Sequence, residues 1–288
     1  MNLSYLKNKI LDFFFKSRLF IIKFYNKIDF PKKINVGGGS NFNEFGWLNY
    51  DINSLLNPLT INHKTNFPNK NNSINLIYSS HAFEHFSDVV IEKIFNESRR
   101  VLESRGHLLI IIPDYDFLIK KWQERDSSFF GQTTELGFNK SLHYWRNKNL
   151  EDNLNNRAAF MFCSYWNLEF EKKFRAFQSK STNNYDPNIF WGPPSYDQDK
   201  LLTLLDKNSP KKVVDYLRNC VLEKNSDFIF CHQNAWSKNE MINATIKYGF
   251  NLIESDKEIL KTNMLYSQIP GFFDHYELSN YFLFQKND

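Results

Sequence analysis

The chain reads Ile34-Asn35-Val36-Gly37-Gly38-Gly39-Ser40, and shortly afterwards Trp47-Leu48-Asn49-Tyr50-Asp51, at the point that decides its fold. A β-branched run that opens into glycines predicts a strand ending in a sharp turn. Glycines also let a ligand approach main-chain N–H groups, because no Cβ stands in the way. An Asp at the tip of the neighbouring strand can accept hydrogen bonds from both hydroxyls of a ribose. The two segments therefore predict a nucleoside-containing cofactor at the carboxyl edge of a parallel sheet.

Length, composition and charge exclude several classes of protein. A chain of 288 residues, 42% of them hydrophobic, can bury the core of one large domain or of one domain with an insertion. Cys163, Cys220 and Cys231 are widely spaced, which argues against a disulfide framework or zinc ribbon and indicates a reducing, cytoplasmic location. Residues 1–33 carry a net charge of +6 and the whole chain +4, so the remainder is −2. This distribution does not favour a nucleic-acid-binding protein.

The first predicted segment, residues 1–32, contains an amphipathic helix over residues 3–28. Its lysines fall on one narrow arc, with Leu, Ile and Phe on a broad arc beside it. Charges are too frequent for a transmembrane span, and no small-residue cleavage site follows, so a signal peptide is not expected. The helix either lies on an anionic membrane surface, making the protein peripheral to the membrane, or packs against the sheet. We favour packing.

The first two strands are predicted at 33–37 and 47–52, with about nine residues between them. A helical crossover between parallel strands needs a dozen or more residues. The connection is therefore predicted to be a turn or short coil. It leaves one face of the sheet bare, where the N-terminal helix can dock.

A strand–helix–strand unit follows in the sequence. A buried strand is predicted at Ile74–Ser80, a helix at about 86–103, Gly106 as a cap or turn residue after it, and a strongly apolar strand at His107–Ile112. Short links between such elements predict a right-handed crossover and a parallel sheet.

Residues 115–227 break this pattern and are predicted to be an insertion or cap over the cofactor edge of the sheet, and the region that binds the acceptor. Three helices are predicted within it, at about 147–175, 197–206 and 209–223. The βα pattern resumes afterwards with a strand at Phe228–Phe230, a helix at 237–248 and strands near 250–255 and 280–286. The predicted fold is α/β, a Rossmann-like doubly wound and mostly parallel sheet, with its core domain in 33–114 and 228–288.

Four blocks of sequence resemble class I S-adenosylmethionine-dependent methyltransferases, in the "methyltransferase type 11"-like branch with a short first loop. They are Asn35–Gly39 with Gly46–Asp51; Phe67-Pro68 with Ser73–Phe86; Arg99–Asp114; and His232, Trp236 and Gly249-Phe250. The blocks occur in the order and spacing of that family. They cover 33–114 and 228–286, about half of the chain.

The resemblance implies an enzyme that uses S-adenosylmethionine and methylates an oxygen or nitrogen atom. It implies a cofactor site formed by Val36, Gly37, Gly38, Gly39, Asp51, Ser79, Ser80 and His81. A hydroxyl acceptor requires a base, for which His81, Asp114 and His143 are candidates, and no metal is expected. The acceptor is expected to be a small molecule or a glycan, such as a cell-surface glycan or lipid-linked sugar precursor.

Several roles stay open at this point. Glu84 either lines the pocket with Ser80 and His81 or holds the strand-to-helix turn with His85. Asp114 can equally cap the next turn. His143 stacks on a planar acceptor or belongs to the core of the insertion, and His232 lies in the pocket or in a turn.

Three other functions compete with methyl transfer. A dinucleotide site is not favoured, because position 42 is Phe where the fingerprint needs a third glycine, and Asp51 comes early. A membrane-associated binding protein with a degenerate methyltransferase fold is an alternative, because Asn62-His63 and Asn75 replace the acidic residues usual in the family. A zinc hydrolase is a remote alternative, because His81-Ala82-Phe83-Glu84-His85 matches H-x-x-E-H.

Overall fold

The computed structural model describes residues 32–39, 42, 44, 46–51, 59–60, 62, 64, 66–131, 150–163, 196–207, 209–223 and 231–288. Three predicted features lie outside these residues: the helix over 3–28, His143 and the strand at 228–230. They stay predictions.

The described core is a seven-stranded sheet with the order β3-β2-β1-β4-β5-β7-β6. Its strands are β1 Lys33–Val36, β2 Trp47–Asp51, β3 Leu59–Thr60, β4 Ile74–Ser80, β5 Leu102–Pro113, β6 Phe250–Glu254 and β7 Ser279–Lys286. The pairs from β3 to β5 are parallel, whereas β7 runs antiparallel to both β5 and β6. The predicted doubly wound, mostly parallel sheet is confirmed.

The described helices are numbered in chain order. They are α1 Asp88–Val101, α2 Tyr115–Gln123, α3 Ser127–Gly131, α4 Leu150–Cys163, α5 Gln198–Lys207, α6 Pro210–Leu222, α7 Lys238–Ile246, α8 Lys257–Thr262 and α9 Met264–Ser267, with 3-10 helices at Phe83–His85 and Tyr276–Leu278. α4 is the described part of the helix predicted at 147–175. Within the described residues, no helix is both long and apolar enough to cross a membrane.

Alternate residues of β5 enter two separate hydrophobic cores, as the two-residue period of a strand requires. Leu108, Ile110 and Ile112 pack in the core that also contains buried residues of α1 and α7. Leu109 and Ile111 pack in a second core with buried residues of α8 and α9. Because helices cover both faces, the strand is apolar along its whole second half rather than alternating.

The connection from β1 to β2 is short, as predicted. Its described residues lie in bends, turns or irregular backbone, and β1 and β2 pair in parallel register from Lys33 opposite Trp47 to Val36 opposite Tyr50.

Gly106 was predicted as a cap or turn residue, and the first of these two roles is wrong, because Gly106 lies within β5 and caps no helix. The α1 helix ends at Val101, and its C-cap Leu102 is already extended with φ −62° and ψ 135°. Strand β5 starts there and is irregular: Arg105 has φ 62°, and the register against β4 shifts between Ile74 and Leu76. Gly106 is buried in this irregular part of β5, where a Cβ would lie 3.2 Å from the Ile74 carbonyl oxygen.

Glu97 and Arg100 on α1 hold the segment that precedes β4. The Glu97 carboxylate accepts hydrogen bonds from the Phe67 N–H at 2.7 Å and from Arg100 Nη2 at 2.6 Å. Arg100 also donates to the carbonyl oxygens of Phe67 and Asn69. Burial alone would raise the pKa of Glu97, but the Arg100 side chain and the Phe67 N–H outweigh it and lower the pKa.

A third core lies among α2 to α6, within the sequence range of the predicted insertion. Its most buried large side chains include Tyr115, Trp122, Phe130 and Phe162. Trp122 Nε1 donates to Asn155 Oδ1 at 3.0 Å, which satisfies the indole inside this core. The aromatic residues described here are thus core residues. Cys163, Cys220 and Cys231 are all buried.

Candidate functional site

The glycine turn after β1 requires glycine at its first position. Gly37 has φ 81°, in the left-handed region, and its N–H donates to the Tyr50 carbonyl oxygen at 2.6 Å. A Cβ on Gly37 would lie 2.1 Å from Ala82 Cβ, in the turn after β4. Gly39 differs: its φ is also positive, at 62°, but among the described residues a Cβ there would meet no atom within 4 Å. Gly39 therefore leaves the open space that a ligand needs to approach the main chain.

Polar side chains from two strands fix this turn. The Gly39 N–H donates to Asp51 Oδ2 at 2.8 Å, and Asn49 Nδ2 donates to the Gly39 carbonyl oxygen at 2.9 Å. Asn35 Nδ2 donates in turn to Asn49 Oδ1 at 3.3 Å. The buried carboxylate of Asp51 is thus next to the open side of the turn, as expected for a ribose-binding acid.

A cavity of about 400 Å³ opens beside the turn. Its walls comprise Asn35, Gly37, Gly38, Gly39, Phe42, Tyr78, Ser80, His81, Pro270, Gly271, Asp274 and His275. Of the residues predicted to bind the cofactor, the three glycines, Ser80 and His81 are in this lining.

The other predicted cofactor residues lie around the cavity without lining it. Val36 and Ser79 are fully buried, and the Ser79 hydroxyl donates to the Val36 carbonyl oxygen at 2.9 Å. This bond joins β4 to β1 where the two strands end, so Ser79 supports the turn. Asp51 contacts Gly39 but is also absent from the lining.

His81 is held in an uncommon conformation at the cavity wall. Its φ is 48°, which for a residue other than glycine is uncommon and is found at functional sites more than elsewhere. Nδ1 lies 3.4 Å from Glu84 Oε1, and Nε2 lies 2.8 Å from the Ser279 hydroxyl. The Ser279 hydroxyl donates to the His275 carbonyl oxygen at 2.7 Å. Residues from both ends of the core domain therefore orient this one imidazole.

Glu84 does not line the cavity but lies behind His81, 1% exposed. Its carbonyl oxygen accepts the N–H groups of Gln233 and Asn234, and Asn234 Nδ2 donates to the Phe86 carbonyl oxygen at 2.6 Å. These bonds join the turn after β4 to the segment after residue 230. Glu84 and its neighbours thus hold the turn, which was one of its two predicted roles.

Glu84, His85 and His232 form a cluster of potential metal ligands, with one donor atom from each residue within 4.8 Å of the other two. Burial would raise the pKa of Glu84, but the hydrogen bond from His81 and the nearby imidazoles lower it to about 2. Burial lowers the pKa of His85, and it lowers that of His232 to about 3. Glu84 is accordingly ionised, and His232 neutral, at neutral pH.

The helical geometry of a zinc-peptidase H-x-x-E-H motif is not present. That motif needs both histidines on one helical face. His81 has left-handed backbone geometry and precedes the short 3-10 helix Phe83–His85. The donor cluster pairs His85 with His232 instead of His81.

Of the remaining predicted catalytic residues, Asp114 is absent from the described lining of the cavity. Asp114 is the N-cap of α2, where its Oδ1 accepts the Phe117 N–H at 3.0 Å, so it has the capping role. His143 lies outside the described residues. His232 is buried, with Nδ1 2.9 Å from the Tyr115 hydroxyl and 3.0 Å from the Phe162 carbonyl oxygen.

One wall of the cavity was not predicted from the sequence. It is formed by Pro270, Gly271, Asp274 and His275, and the His275 ring lies 5.0 Å from the ring of His81. Pro-Gly is a turn signal, and Gly271 has φ 81°. That signal locates a loop but not its neighbour, so it could not show that the loop faces β4.

Part of the sequence that forms this site matches a known protein family. Residues 55–110 match the sequence family described as "Methyltransferase domain". This range holds β4, the turn with His81 and Glu84, α1 and most of β5. No curated protein sequence matches the chain.

Three solved structures illustrate the resemblance. An S-adenosylmethionine-dependent methyltransferase from Mesorhizobium loti is 11% identical, with 91% of this chain and 95% of that chain covered and a TM-score of 0.39. A Haloferax volcanii complex of the Trm112 methyltransferase activator with a methyltransferase is 11% identical, with 89% and 82% covered and a TM-score of 0.37. A geranyl diphosphate methyltransferase bound to GPP and sinefungin is 10% identical, with 89% and 70% covered and a TM-score of 0.35. These TM-scores are too low to support any conclusion about this chain.

The assignment depends instead on the family match and on the chain's own geometry. The glycine turn fits a nucleoside-bearing cofactor, because Gly39 leaves its main chain open beside the Asp51 carboxylate. The matched segment supplies Ser80 and His81 to the same cavity. The match over residues 55–110, the Rossmann-like sheet and a glycine turn that fits S-adenosylmethionine together support assignment of the chain to the class I S-adenosylmethionine-dependent methyltransferases.

Proposed function

We propose that this methyltransferase acts on an oxygen or nitrogen atom of a small or glycan acceptor, and that His81 is its general base. The observation that carries the proposal is the position of His81: it lines the cavity, while Glu84 and Ser279 contact its two ring nitrogens. A base must reach the acceptor proton at hydrogen-bond distance. The Ser279 hydroxyl, 2.8 Å from Nε2, shows that this nitrogen can form a hydrogen bond with a hydroxyl group.

S-adenosylmethionine supplies an electrophilic methyl group on a positively charged sulfur. The residues that would hold it are Gly37 to Gly39, Asp51 and Ser80. The protein's task is then to orient the acceptor and to remove its proton. To accept that proton, His81 must carry its own proton on Nδ1, facing the buried Glu84 carboxylate, and the acceptor must replace the Ser279 hydroxyl at Nε2. Glu84 then stabilises the imidazolium that forms.

The acceptor class and the location are proposed from the sequence. A cell-surface glycan or lipid-linked sugar precursor fits a cytoplasmic enzyme with a basic, amphipathic segment over residues 3–28. If that segment binds anionic membranes, flotation with anionic liposomes should occur with the full chain and be lost on deletion of residues 1–28. Flotation of both forms, or of neither, would refute a membrane role for this segment.

Calorimetry with S-adenosylhomocysteine tests the cofactor site. Asp51→Ala should weaken binding by roughly 10- to 150-fold, because about 1.5–3 kcal/mol is lost with a hydrogen bond to a charged group. Asp51→Asn is the matched control, since its amide oxygen still accepts the Gly39 N–H. It should weaken binding less than Asp51→Ala. Equal, unchanged affinity in both variants would contradict the assignment of Asp51 to the cofactor.

Methyl transfer itself is tested by screening sugar nucleotides, lipid-linked sugars and amines for release of S-adenosylhomocysteine. With the acceptor that responds, His81→Asn should lower kcat by about 10²- to 10⁴-fold and leave cofactor binding intact. His107→Asn, outside the cavity, should leave kcat unchanged. Cofactor binding with no turnover on any acceptor would favour the alternative, a binding protein with a degenerate methyltransferase fold.

A further inference from the structure

We propose that Glu84, His85 and His232 bind a divalent transition-metal ion behind the cavity wall. One donor atom from each of the three residues lies within 4.8 Å of the other two. His85 and His232 approach each other edge to face, with ring centroids 4.7 Å apart and planes at 89°. The set is distinct from the residues that line the cavity.

The two oxygens of the Glu84 carboxylate have different surroundings. Oε1 faces His81 Nδ1 at 3.4 Å. Oε2 is fully buried and has no hydrogen-bond partner among the described residues. A buried carboxylate oxygen without a partner is costly, and coordination of a cation removes that cost. Oε2 is therefore the oxygen that we assign to the metal.

His232 has the outer-shell partners of a ligating histidine. Its Nδ1 lies 3.0 Å from the Phe162 carbonyl oxygen, so Nδ1 carries the proton and donates it. Nε2 then carries the lone pair that a metal needs. Metal-bound histidines commonly donate their other N–H to a carbonyl or carboxylate in this way. The Tyr115 hydroxyl, 2.9 Å from Nδ1, adds a second contact that fixes the ring.

The backbone around the cluster is already fixed. The Glu84 carbonyl oxygen accepts the N–H groups of Gln233 and Asn234, and Gln233 Nε2 donates to the His85 carbonyl oxygen at 3.0 Å. The His232 N–H donates to the Cys163 carbonyl oxygen at 3.0 Å. Ligand-bearing segments that are tied together in this way hold their donors near one another without the ion.

The donor types select the class of ion. Mg²⁺ and Ca²⁺ prefer all-oxygen sites, whereas two imidazoles and one carboxylate suit Zn²⁺, Co²⁺, Mn²⁺ or Fe²⁺. With bonds of about 2.0–2.2 Å, neighbouring donors lie about 3–3.5 Å apart. Binding therefore draws the three side chains together by small rotations. Three protein ligands leave at least one position of the ion open.

The position of the ion gives it a role in the proposed function, on which this part of the inference rests. Through Glu84 the ion is one side chain away from His81 in the cavity. It would fix the carboxylate that orients this imidazole and join the turn after β4 to the segment around His232. The three ligands would then be positioning residues for His81.

Cobalt titration tests the site directly. Protein freed of metal by chelator dialysis should bind one equivalent of Co²⁺, with visible absorption bands of a nitrogen- and oxygen-ligated ion, and Zn²⁺ should displace it. His85→Asn and Glu84→Gln should each weaken Co²⁺ binding by at least about 100-fold, more than the 10- to 100-fold cost of losing an outer-shell partner. His107→Asn, also a half-buried histidine, should bind as the wild type does.

The alternative outcomes separate the two proposals. Absence of a one-equivalent Co²⁺ site, or a site that survives in both His85→Asn and Glu84→Gln, would overturn the metal proposal. S-adenosylhomocysteine binding is measured in parallel on the metal-free wild type, where it should persist. Loss of cofactor binding there would count against the proposed function and leave the Co²⁺ result standing. If Glu84→Gln does not fold, as judged by circular dichroism, His85→Asn alone decides, because His85 is the least buried of the three.

Discussion

Replacing Gly37 by Ala should disrupt the glycine turn through a single contact. The new Cβ would lie 2.1 Å from Ala82 Cβ, far inside van der Waals contact, and neither atom belongs to a flexible side chain. A positive φ costs about 1–2 kcal/mol for a residue with a Cβ. Overpacking costs a further 1–3 kcal/mol or so. Gly37→Ala should therefore lower the free energy of unfolding by about 2–5 kcal/mol.

Gly39 provides the matched control. It shares the positive φ, but its added Cβ would meet no atom of the described part of the chain within 4 Å. Gly39→Ala should thus cost only the conformational part, about 1–2 kcal/mol. Ala82→Gly provides the complementary test, because without its Cβ the nearest atoms to a Cβ at position 37 are 3.5 and 3.6 Å away. The double variant Gly37→Ala with Ala82→Gly should recover about 1–3 kcal/mol relative to additive behaviour.

Urea denaturation followed by tryptophan fluorescence measures these differences, with S-adenosylhomocysteine calorimetry as the second readout. Both variants should weaken cofactor binding: Gly37→Ala displaces the turn, and Gly39→Ala places a Cβ in the space through which the ligand approaches the main chain. Equal stability loss at positions 37 and 39, or a coupling energy near zero with Ala82→Gly, would refute the steric reasoning.

Three further predictions concern residues outside the cavity. The pKa of Glu97 is lowered in the folded state, so its contribution to stability is present above its ordinary pKa of 4.5 and is lost as the pH falls below that value. Glu97→Gln should therefore reduce the loss of unfolding free energy at acid pH. The exposed Glu92→Gln should leave that acid dependence unchanged. Asp114→Ala should lower the free energy of unfolding by about 0.5–2 kcal/mol through loss of the α2 cap, with turnover retained and Asp114→Asn close to wild type; a loss of turnover at full cofactor occupancy would restore Asp114 as a base. Asn234→Ala should cost about 1–3 kcal/mol by leaving the Phe86 carbonyl oxygen without its 2.6 Å donor, measured by thermal unfolding, and a change near zero would show that this tie is not a stabilising contact.

Local patterns were enough to predict most strands and helices. The strand at Ile74–Ser80 was predicted with its observed bounds, because a run of apolar residues between turn signals is itself a local property. Gly106 shows the limit of this reasoning: a glycine after a helix usually caps it, but here Leu102 leaves the helix directly into β5. The direction of β7 could likewise not be predicted from its sequence, because side chains alternate between the two faces in the same way in parallel and antiparallel strands.

The parts of the candidate site that join residues distant in sequence could not be predicted. The turn with Gly37 and Asp51 could be predicted because its parts are close in sequence. Pairing of His81 with Ser279 joins residues 198 positions apart, and only the packed fold brings them together. The same holds for His232, which meets Glu84 and His85 although the H-x-x-E-H pattern points to His81.

The place of β7 in the sheet bears on the order in which a ribosome produces the strands. β7 lies between β5 and β6 and pairs with both, yet it is synthesised after both. Until Ser279–Lys286 has emerged, β5 has an unpaired, apolar edge, and β6, which pairs with β7 in the described sheet, has no strand partner. The nascent domain then has the five strands from β3 to β5, with β5 at an open edge that needs protection from aggregation. A ribosome-bound chain ending before Ser279 should remain protease-sensitive, and one extended beyond Lys286 should become resistant.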